Sequence, residues 1–220
     1  MLTGMSRPEA TDERASDRWL DILTTVLLTL ATVATAWAAY QSREWTGEQA
    51  QGYSRATASR IAVNRTTAVA NRQEQIDIAT FIQWIDANAR GDDSLARFYR
   101  ARFRDEFKPA FAAWLATKPF SNATAALSPL EMPEYRLAAS AEAERLEARA
   151  GDDSNRAKDA NERANAYMLA VVLFSSVLFF AGISIKLRTR STRVALLALG
   201  CVIFLGTVVW LGTLPIRVTT

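Results

Sequence analysis

The sequence predicts an all-α membrane protein with three transmembrane helices and an elongated helical insert outside the cytoplasm. Three apolar runs are the main observation, because each has roughly 21 to 23 residues and would cross a hydrocarbon core of about 30 Å as a helix. The second observation is the long segment between the first and second runs, which is charged and poor in proline and glycine. Such a segment favours long helices in water.

The chain of 220 residues divides into seven segments that alternate between the membrane and its two aqueous sides. In chain order they are the N-terminal tail 1–19, the first span 20–40, the insert 41–165, the second span 166–187, the basic turn 188–193, the third span 194–216 and the C-terminal tail 217–220.

Lysine and arginine residues predict the orientation of the chain. They precede the first span and occupy the turn between the second and third spans, and a single arginine follows the third span. In chain order these residues are Arg7, Arg14, Arg18, Lys186, Arg188, Arg190, Arg193 and Arg217. Short loops rich in such cations stay cytoplasmic. We therefore expect a multi-pass protein of the bacterial inner membrane, with a cytoplasmic N-terminus, a first span retained as an anchor and a periplasmic insert.

The first membrane helix is expected to continue far beyond the bilayer. No proline lies between Pro8 and Pro109, so the helix should run to Ala89 or Arg90. The part beyond the membrane would be about 75 Å long if it were straight. Gly91 suits the position after a helix, and the acidic and serine residues that follow it suit the cap of the next helix.

A second helix of the insert is predicted at residues 94–117, with Pro109 bending or restarting it. Its large side chains recur at spacings of three and four and should form an aromatic core. They are Leu95, Tyr99, Phe103, Phe107, Phe111 and Trp114. The partners expected on the long helix are Ile78, Phe81, Ile82 and Ile85. A groove for a cofactor is the alternative interpretation of the same stripe.

The remainder of the insert returns the chain to the membrane. Residues 118–133 contain three prolines and predict an ordered loop with at most two short helical turns. A helix from Glu134 to about Ala150 should continue into the second span, although residues 151–154 repeat the earlier Gly-Asp-Asp-Ser sequence and could interrupt it. The expected arrangement is an elongated antiparallel stalk, and a squat three-helix bundle is the alternative.

The residue types present argue against catalysis. The chain has no histidine, which excludes histidine-containing metal sites and histidine bases, and its one cysteine, Cys201, lies in the third span. Two acidic pairs, at residues 92–93 and 152–153, could together hold Ca²⁺ or Mg²⁺, but they lack the ligand spacing of a calcium loop and should cap helices. We predict no catalytic, cofactor-binding or metal-binding residues, no cofactor and no enzyme.

The net charge of +3 is spread over interspersed acids and bases, so nucleic-acid binding is not expected. No small-molecule substrate is indicated. Aromatic residues at the ends of the first span, namely Trp19, Trp37, Tyr40 and Trp45, should anchor it at the membrane interfaces.

The first span has an unusual threonine face, formed by Thr25, Thr29, Thr32 and the small residue Ala36. We expect this face to pack against the second and third spans, where small side chains allow close approach. The alternative is the polar lining of a pore in an oligomer. The sequence gives no ionisable residue near the centre of any span, so an ion relay is not indicated.

A heptad-like pattern on the long helix indicates self-association. It places two asparagines, seven residues apart, among small and apolar residues. The pattern consists of Thr57, Ile61, Asn64, Ala68, Asn71, Gln75, Ile78, Ile82 and Ile85. Polar residues at such positions can set register and oligomeric state. The pattern contains too few apolar residues to predict a coiled coil.

Three stretches, at residues 34–50, 132–137 and 172–183, resemble a family of uncharacterised bacterial inner-membrane proteins. The first reads ATAWAAYQSREWTGEQA, the second MPEYRL and the third VLFSSVLFFAGI. The resemblance implies one span, a helical insert and a two-span hairpin over essentially the whole chain. It implies no activity.

We therefore expect a non-catalytic membrane protein whose extracytoplasmic helices mediate self-assembly or bind a partner complex in the membrane. Its predicted partners are the lipid bilayer and either copies of itself or another membrane protein. The alternatives are a component of an oligomeric channel or transporter and an extracytoplasmic sensor subunit.

Overall fold

The computed structural model describes residues 9–187 and 189–217, with side chains described from Arg18 onward. Within these residues the chain is all-helical and contains no strand. Its helices are α1 (Glu9–Ala89), α2 (Asp93–Ala101), α3 (Lys108–Ala116), a short 3₁₀ turn (Pro129–Glu131), α4 (Ala138–Ser184) and α5 (Arg190–Leu211). Arg7, Arg188, residues 218–220 and the side chain of Arg14 lie outside the described part, so their predicted roles stay predictions.

Three helices are long and apolar enough to cross a membrane, as the sequence predicted. They are α1 within Arg18–Ala89, α4 and α5. Helix α5 covers Arg190–Leu211 and so includes most of the third span predicted at residues 194–216. Pro215 does not continue this helix, because its ring would clash with the carbonyl of Leu211, four residues earlier.

The chain forms two compact units. We call Met1–Gly52 together with Asn155–Thr220 the span module, and Tyr53–Ser154 the middle module. Helices α1 and α4 each supply residues to both modules. The stalk expected for the insert stays a prediction.

Helix α1 ends as predicted. Gly91 adopts a left-handed conformation with φ of 73°, and the amide of Asp92 donates to the carbonyl of Ala87 at 3.0 Å. This pattern satisfies the last carbonyls of the helix and requires a residue that tolerates positive φ. Asp92 then caps α2 by accepting from the amide of Leu95 at 3.0 Å, which confirms its predicted capping role.

The single helix predicted at residues 94–117 is wrong in one respect, because residues 102–107 separate α2 from α3. The break precedes Pro109, which lies in the first turn of α3. In a continuous helix the proline ring would clash with the carbonyl of Asp105. Pro109 therefore restarts the helix, and the residues before it leave helical geometry.

The predicted aromatic core is confirmed in the middle module. Its fully buried members come from α1, α2, α3 and the connection between them. They are Phe81, Trp84, Ala87, Ala96, Phe103, Phe107, Phe111 and Trp114. The rings meet mainly edge to face, as between Phe103 and Phe107 at 5.0 Å. Two predicted partners are wrong, since Ile78 and Ile82 are exposed and Trp84 packs in the core.

The loop at residues 118–133 is ordered and contains only the 3₁₀ turn. The indole of Trp114 holds it by donating to the carbonyl of Ala126 at 2.8 Å.

Helix α4 begins at Ala138 instead of Glu134 and passes through residues 151–154 without interruption. Asp153 is buried in this stretch and pairs with Arg55, so the second acidic pair caps no helix and that prediction is wrong.

The core of the span module consists of two clusters that combine alanines with larger aliphatic and aromatic side chains. One cluster joins α1, α4 and α5 and contains Leu27, Ala31, Val177, Ala181 and Leu197. A second cluster contains Ala38, Trp45, Ala160, Ala164, Tyr167, Ala170 and Phe174. Gly200 of α5 faces Leu27 of α1, and a Cβ added there would make an ordinary van der Waals contact with the Leu27 side chain at 3.4 Å.

Replacing a core ring should destabilise the middle module. Phe107 is 0% exposed, so we expect Phe107→Ala to lower the free energy of unfolding by about 3 to 5 kcal/mol. Phe98 is 47% exposed, and Phe98→Ala should cost less than about 1 kcal/mol. Pulse proteolysis of the full chain in detergent over a urea series measures both. Equal costs for the two variants would mean that Phe107 is not a core residue.

Candidate functional site

The described residues contain no group of three or more acidic or cysteine side chains that could hold a metal ion. The two acidic pairs act separately in the structure. Asp92 accepts hydrogen bonds from the amide of Leu95 and the hydroxyl of Ser94 at 2.7 Å. These bonds, the Leu95 amide first, lower the pKa of Asp92. Asp153 faces Arg55 at 3.6 Å.

A buried ionic cluster lies in the middle module and was not predicted. Asp77 of α1 is 0% exposed, and its Oδ2 accepts from the guanidinium of Arg104 at 2.8 Å and from the hydroxyl of Tyr135 at 3.0 Å. Arg104 also pairs with Glu106, whose other oxygen accepts from the amide of Ala138 at 2.9 Å. We call these residues the Asp77 cluster. It joins α1, the α2–α3 connection and the start of α4.

The electrostatics of the Asp77 cluster follow from its burial. Desolvation raises the pKa of Asp77, although the hydrogen bond from Tyr135 and the charge of Arg104 act in the opposite direction. Burial, followed by the neighbouring carboxylate of Asp77, also raises the pKa of Tyr135. The second oxygen of Asp77, Oδ1, is buried and accepts no hydrogen bond within the described residues. The cluster therefore holds a charge that is only partly compensated.

The C-terminal end of the span module is fixed to α1 by a second polar cluster. Gln41 is fully buried, and its side-chain amide donates to the carbonyl of Arg217 at 2.9 Å and accepts from the amide of Arg217 at 3.0 Å. The guanidinium of Arg217 also pairs with Glu48 at 2.6 Å. Tyr167 donates to the carbonyl of Pro215 at 3.3 Å. These contacts hold the chain that follows α5 against α1 and α4.

Trp45 belongs to this cluster, and its predicted role as an interfacial anchor is wrong. The ring is buried, with the guanidinium groups of Arg163 and Arg217 at 4.6 and 5.8 Å from its centroid. Cations close to an indole face are attracted by its electron density. Trp37 and Tyr40 remain nearly half exposed, with their rings 6.1 Å apart.

An ion pair closes the opposite end of the first span. Arg193, at the start of α5, donates to the carboxylate of Asp21 in α1. Asp21 and Gln41 are twenty positions apart in one helix, which corresponds to about 30 Å, the thickness of a hydrocarbon core. The Arg193–Asp21 pair and the contacts of Gln41 thus lie at the two limits of the apolar stretch of α1.

The threonine face of the first span does not pack within the chain, so this expectation is wrong. Thr25, Thr29 and Thr32 are exposed, and their hydroxyls donate to carbonyls one turn earlier at 2.8 to 2.9 Å. The hydroxyls therefore need no neighbouring helix. Leu27 and Ala31 face α4 and α5 instead, where they make the close van der Waals contacts that hold membrane helices together.

The heptad pattern of α1 lies on the outer face of the middle module. Eight of its nine positions are exposed, and we call them the α1 stripe: Thr57, Ile61, Asn64, Ala68, Asn71, Gln75, Ile78 and Ile82. Ile61 and Ile82 leave 49% and 55% of their surface uncovered. Ala56, Ala70, Asp77, Phe81, Trp84 and Ala87 form the buried face of the same helix. An exposed row that contains isoleucines, on a helix that is already packed on another face, can bind a further helix.

Cations flank the α1 stripe. Arg60, Arg65 and Arg72 are exposed, and no acidic residue occurs between Tyr53 and Gln73 of α1. The stripe therefore combines apolar side chains with uncharged polar ones, and arginines lie beside it.

The sequence did not predict the Asp77 cluster or the polar cluster that joins Gln41 to Arg217. One signal pointed to Asp77: it lies four residues before Phe81 and seven before Trp84, so it shares a helix face with two core aromatic residues. No spacing in the sequence linked Gln41 to Arg217, because that contact joins residues 176 positions apart.

The chain matches no protein-family model, no curated protein and no solved structure. The function proposed below therefore rests on the contacts, burial and charges of this chain alone.

The raised pKa of Asp77 predicts a pH-dependent stability. The native state keeps the proton of Asp77 to a higher pH than the unfolded chain, whose value is 3.8. The stability contribution is therefore fully present below about pH 4 and is lost as pH rises through the native pKa. Asp77→Asn removes this titration. Relative to that variant, the wild type should lose stability as pH rises above about 4, as measured by urea unfolding.

Asp92→Asn is the matched control, with the opposite sign. The pKa of Asp92 is lowered, so the wild type should gain stability over Asp92→Asn as pH rises through the acidic range. A stability difference between wild type and Asp77→Asn that does not change with pH would contradict the argument.

Proposed function

We propose that this protein is a non-catalytic protein of the bacterial inner membrane whose α1 stripe binds a helix of a partner in the same membrane. In this proposal the N-terminus and the basic turn are cytoplasmic, and the middle module is periplasmic. The observation that carries the proposal is the exposure of the α1 stripe on a helix that buries another face, in part in the aromatic core.

The composition of the stripe supports helix binding. Isoleucines at both ends supply apolar contact area, and Asn64 and Asn71 supply amides that can hydrogen-bond across a seam. Ile61 and Ile82 are about half covered already, so burying the remainder of one of them is worth about 1 kcal/mol. A few such contacts can hold two helices that share a membrane.

The charges beside the stripe favour a different protein over a second copy. Two copies inserted in the same direction would pair in parallel, and Arg60 of one would then face Arg65 of the other across the seam. Like charges in these positions repel. A partner helix with acidic residues beside its apolar row would pair with both arginines. Self-assembly is the alternative within the same proposal.

The exposed threonine face supports a second candidate, a component of an oligomeric channel. Thr25, Thr29 and Thr32 point away from α4 and α5, as a pore lining would require. Their hydroxyls already donate within α1, which leaves oxygen lone pairs to face a lumen. This candidate ranks second, because nothing in the span module beyond these hydroxyls favours it.

Cross-linking in the membrane tests the α1 stripe. A photoreactive residue at Ala68 should give one discrete adduct, and Ile61→Ser with Ile82→Ser should reduce its yield severalfold, because apolar contact is lost. Val69→Ser is the matched control, since Val69 is also exposed but lies outside the stripe. The mass of the adduct identifies self-assembly if it is twice that of the chain.

Absence of any adduct at Ala68 and Asn71 would contradict the proposal. An equal loss with Val69→Ser would show that the stripe is not the binding surface.

The topology has its own test. Single cysteines replace Ser121 and Thr189, both exposed, in a Cys201→Ser background. An impermeant maleimide added to spheroplasts should label Ser121→Cys and leave Thr189→Cys unlabelled, because the basic turn is cytoplasmic. Both should react after the membrane is permeabilised. The reverse pattern in sealed spheroplasts would overturn the orientation.

A further inference from the structure

A cleft in the middle module has the features of a binding site. It has a volume of about 470 Å³ and lies between α2 and α3. Its lining includes three cations, Arg97, Arg100 and Lys108, and two aromatic residues, Phe103 and Phe111. The volume falls in the range typical of sites for small molecules.

The aromatic residues form an apolar floor. Phe103 and Phe111 are nearly fully buried members of the aromatic core, with their rings 4.8 Å apart in an edge-to-face arrangement. The core therefore holds the floor in place from behind. The rings leave only 3% and 2% of their surface uncovered, so a flat apolar group in the cleft would rest mainly on Ala101 and Ala112, which also line it.

Two of the three cations that line the cleft, Arg97 and Arg100, have no acidic partner among the described residues, and the third, Lys108, has one. No acidic residue is among those that line the cleft. Lys108 donates to Asp105 at 2.7 Å, and Asp105 is largely exposed. The guanidinium of Arg100 lies 5.7 Å from the centre of the Phe111 ring. Arg97 and Arg100 are three positions apart in α2, so both lie on one side of the helix.

From this arrangement we propose that the cleft binds a small organic anion with an aromatic body, specifically an aromatic carboxylate. The ring packs on Ala101 and Ala112, beside the uncovered parts of Phe103 and Phe111, and the carboxylate is held by the guanidinium groups of Arg97 and Arg100. Arginine matches a carboxylate in geometry as well as in charge. Lys108 adds a third positive charge at the rim. This site is independent of the α1 stripe.

Calorimetry with 1-naphthoate tests the site, using the full chain in nanodiscs and empty nanodiscs as the blank. We expect saturable binding with a dissociation constant of about 1 mM or tighter. Arg97→Gln with Arg100→Gln should weaken it about tenfold or more, because two charged hydrogen bonds to the carboxylate are lost. The matched control is Arg145→Gln with Arg149→Gln, which removes the same charge from exposed positions of α4 and should leave binding unchanged.

Two further measurements keep the test decisive if the double variant is unstable. The neutral analogue 1-naphthalenemethanol should bind at least about tenfold more weakly to the wild type, and added salt should weaken naphthoate binding. Absence of saturable binding, equal binding of the neutral analogue, or an unchanged dissociation constant in the folded cleft variant would each overturn the proposal.

Discussion

The unbroken backbone hydrogen bonding of α1 is the constraint on which the rest of the structure depends. The helix extends over Glu9–Ala89 and supplies residues to both modules. A helix satisfies its own amides and carbonyls, so the same segment is stable in a hydrocarbon core and in water. Once this helix is continuous, each side chain has a fixed direction. Leu27 and Ala31 then face α4 and α5, while Phe81 and Trp84 face the aromatic core.

Polar contacts complete what apolar packing leaves unspecified. Gln41 fixes the chain after α5, Arg193 fixes the start of α5, and Asp77 joins three segments of the middle module. Buried pairs of this kind add little net stability, because desolvation offsets the attraction between the charges. We infer that the Asp77 cluster specifies how its segments meet, since an apolar core alone would tolerate more than one arrangement.

Two exposed surfaces of the middle module support the proposed functions. The α1 stripe and the cleft above Phe103 and Phe111 are both in the middle module, but they occupy different helices and have different chemistry. The stripe is a long row suited to another helix, and the cleft is a bounded volume suited to a small anion. Both have a basic border, so an acidic helix and an aromatic carboxylate would each find complementary charge.

Several features were determined by the sequence alone, because they depend on local chemistry. The three apolar helices, the end of α1 at Gly91, the cap at Asp92 and the aromatic core around Phe107 follow from length, residue type and helical spacing. The tertiary structure decided which of two apolar faces of α1 is buried. Spacing shows that Ile61 and Ile82 share one face and that Phe81 and Trp84 share another, but both faces contain apolar residues.

Contacts between residues far apart in the chain decided where several other side chains point. Trp45 is buried between two arginines, Thr25 faces outward, and Arg104 turns towards Asp77, in each case because of partners far along the chain. Helical periodicity groups residues on a face, but only packing determines which face has a partner.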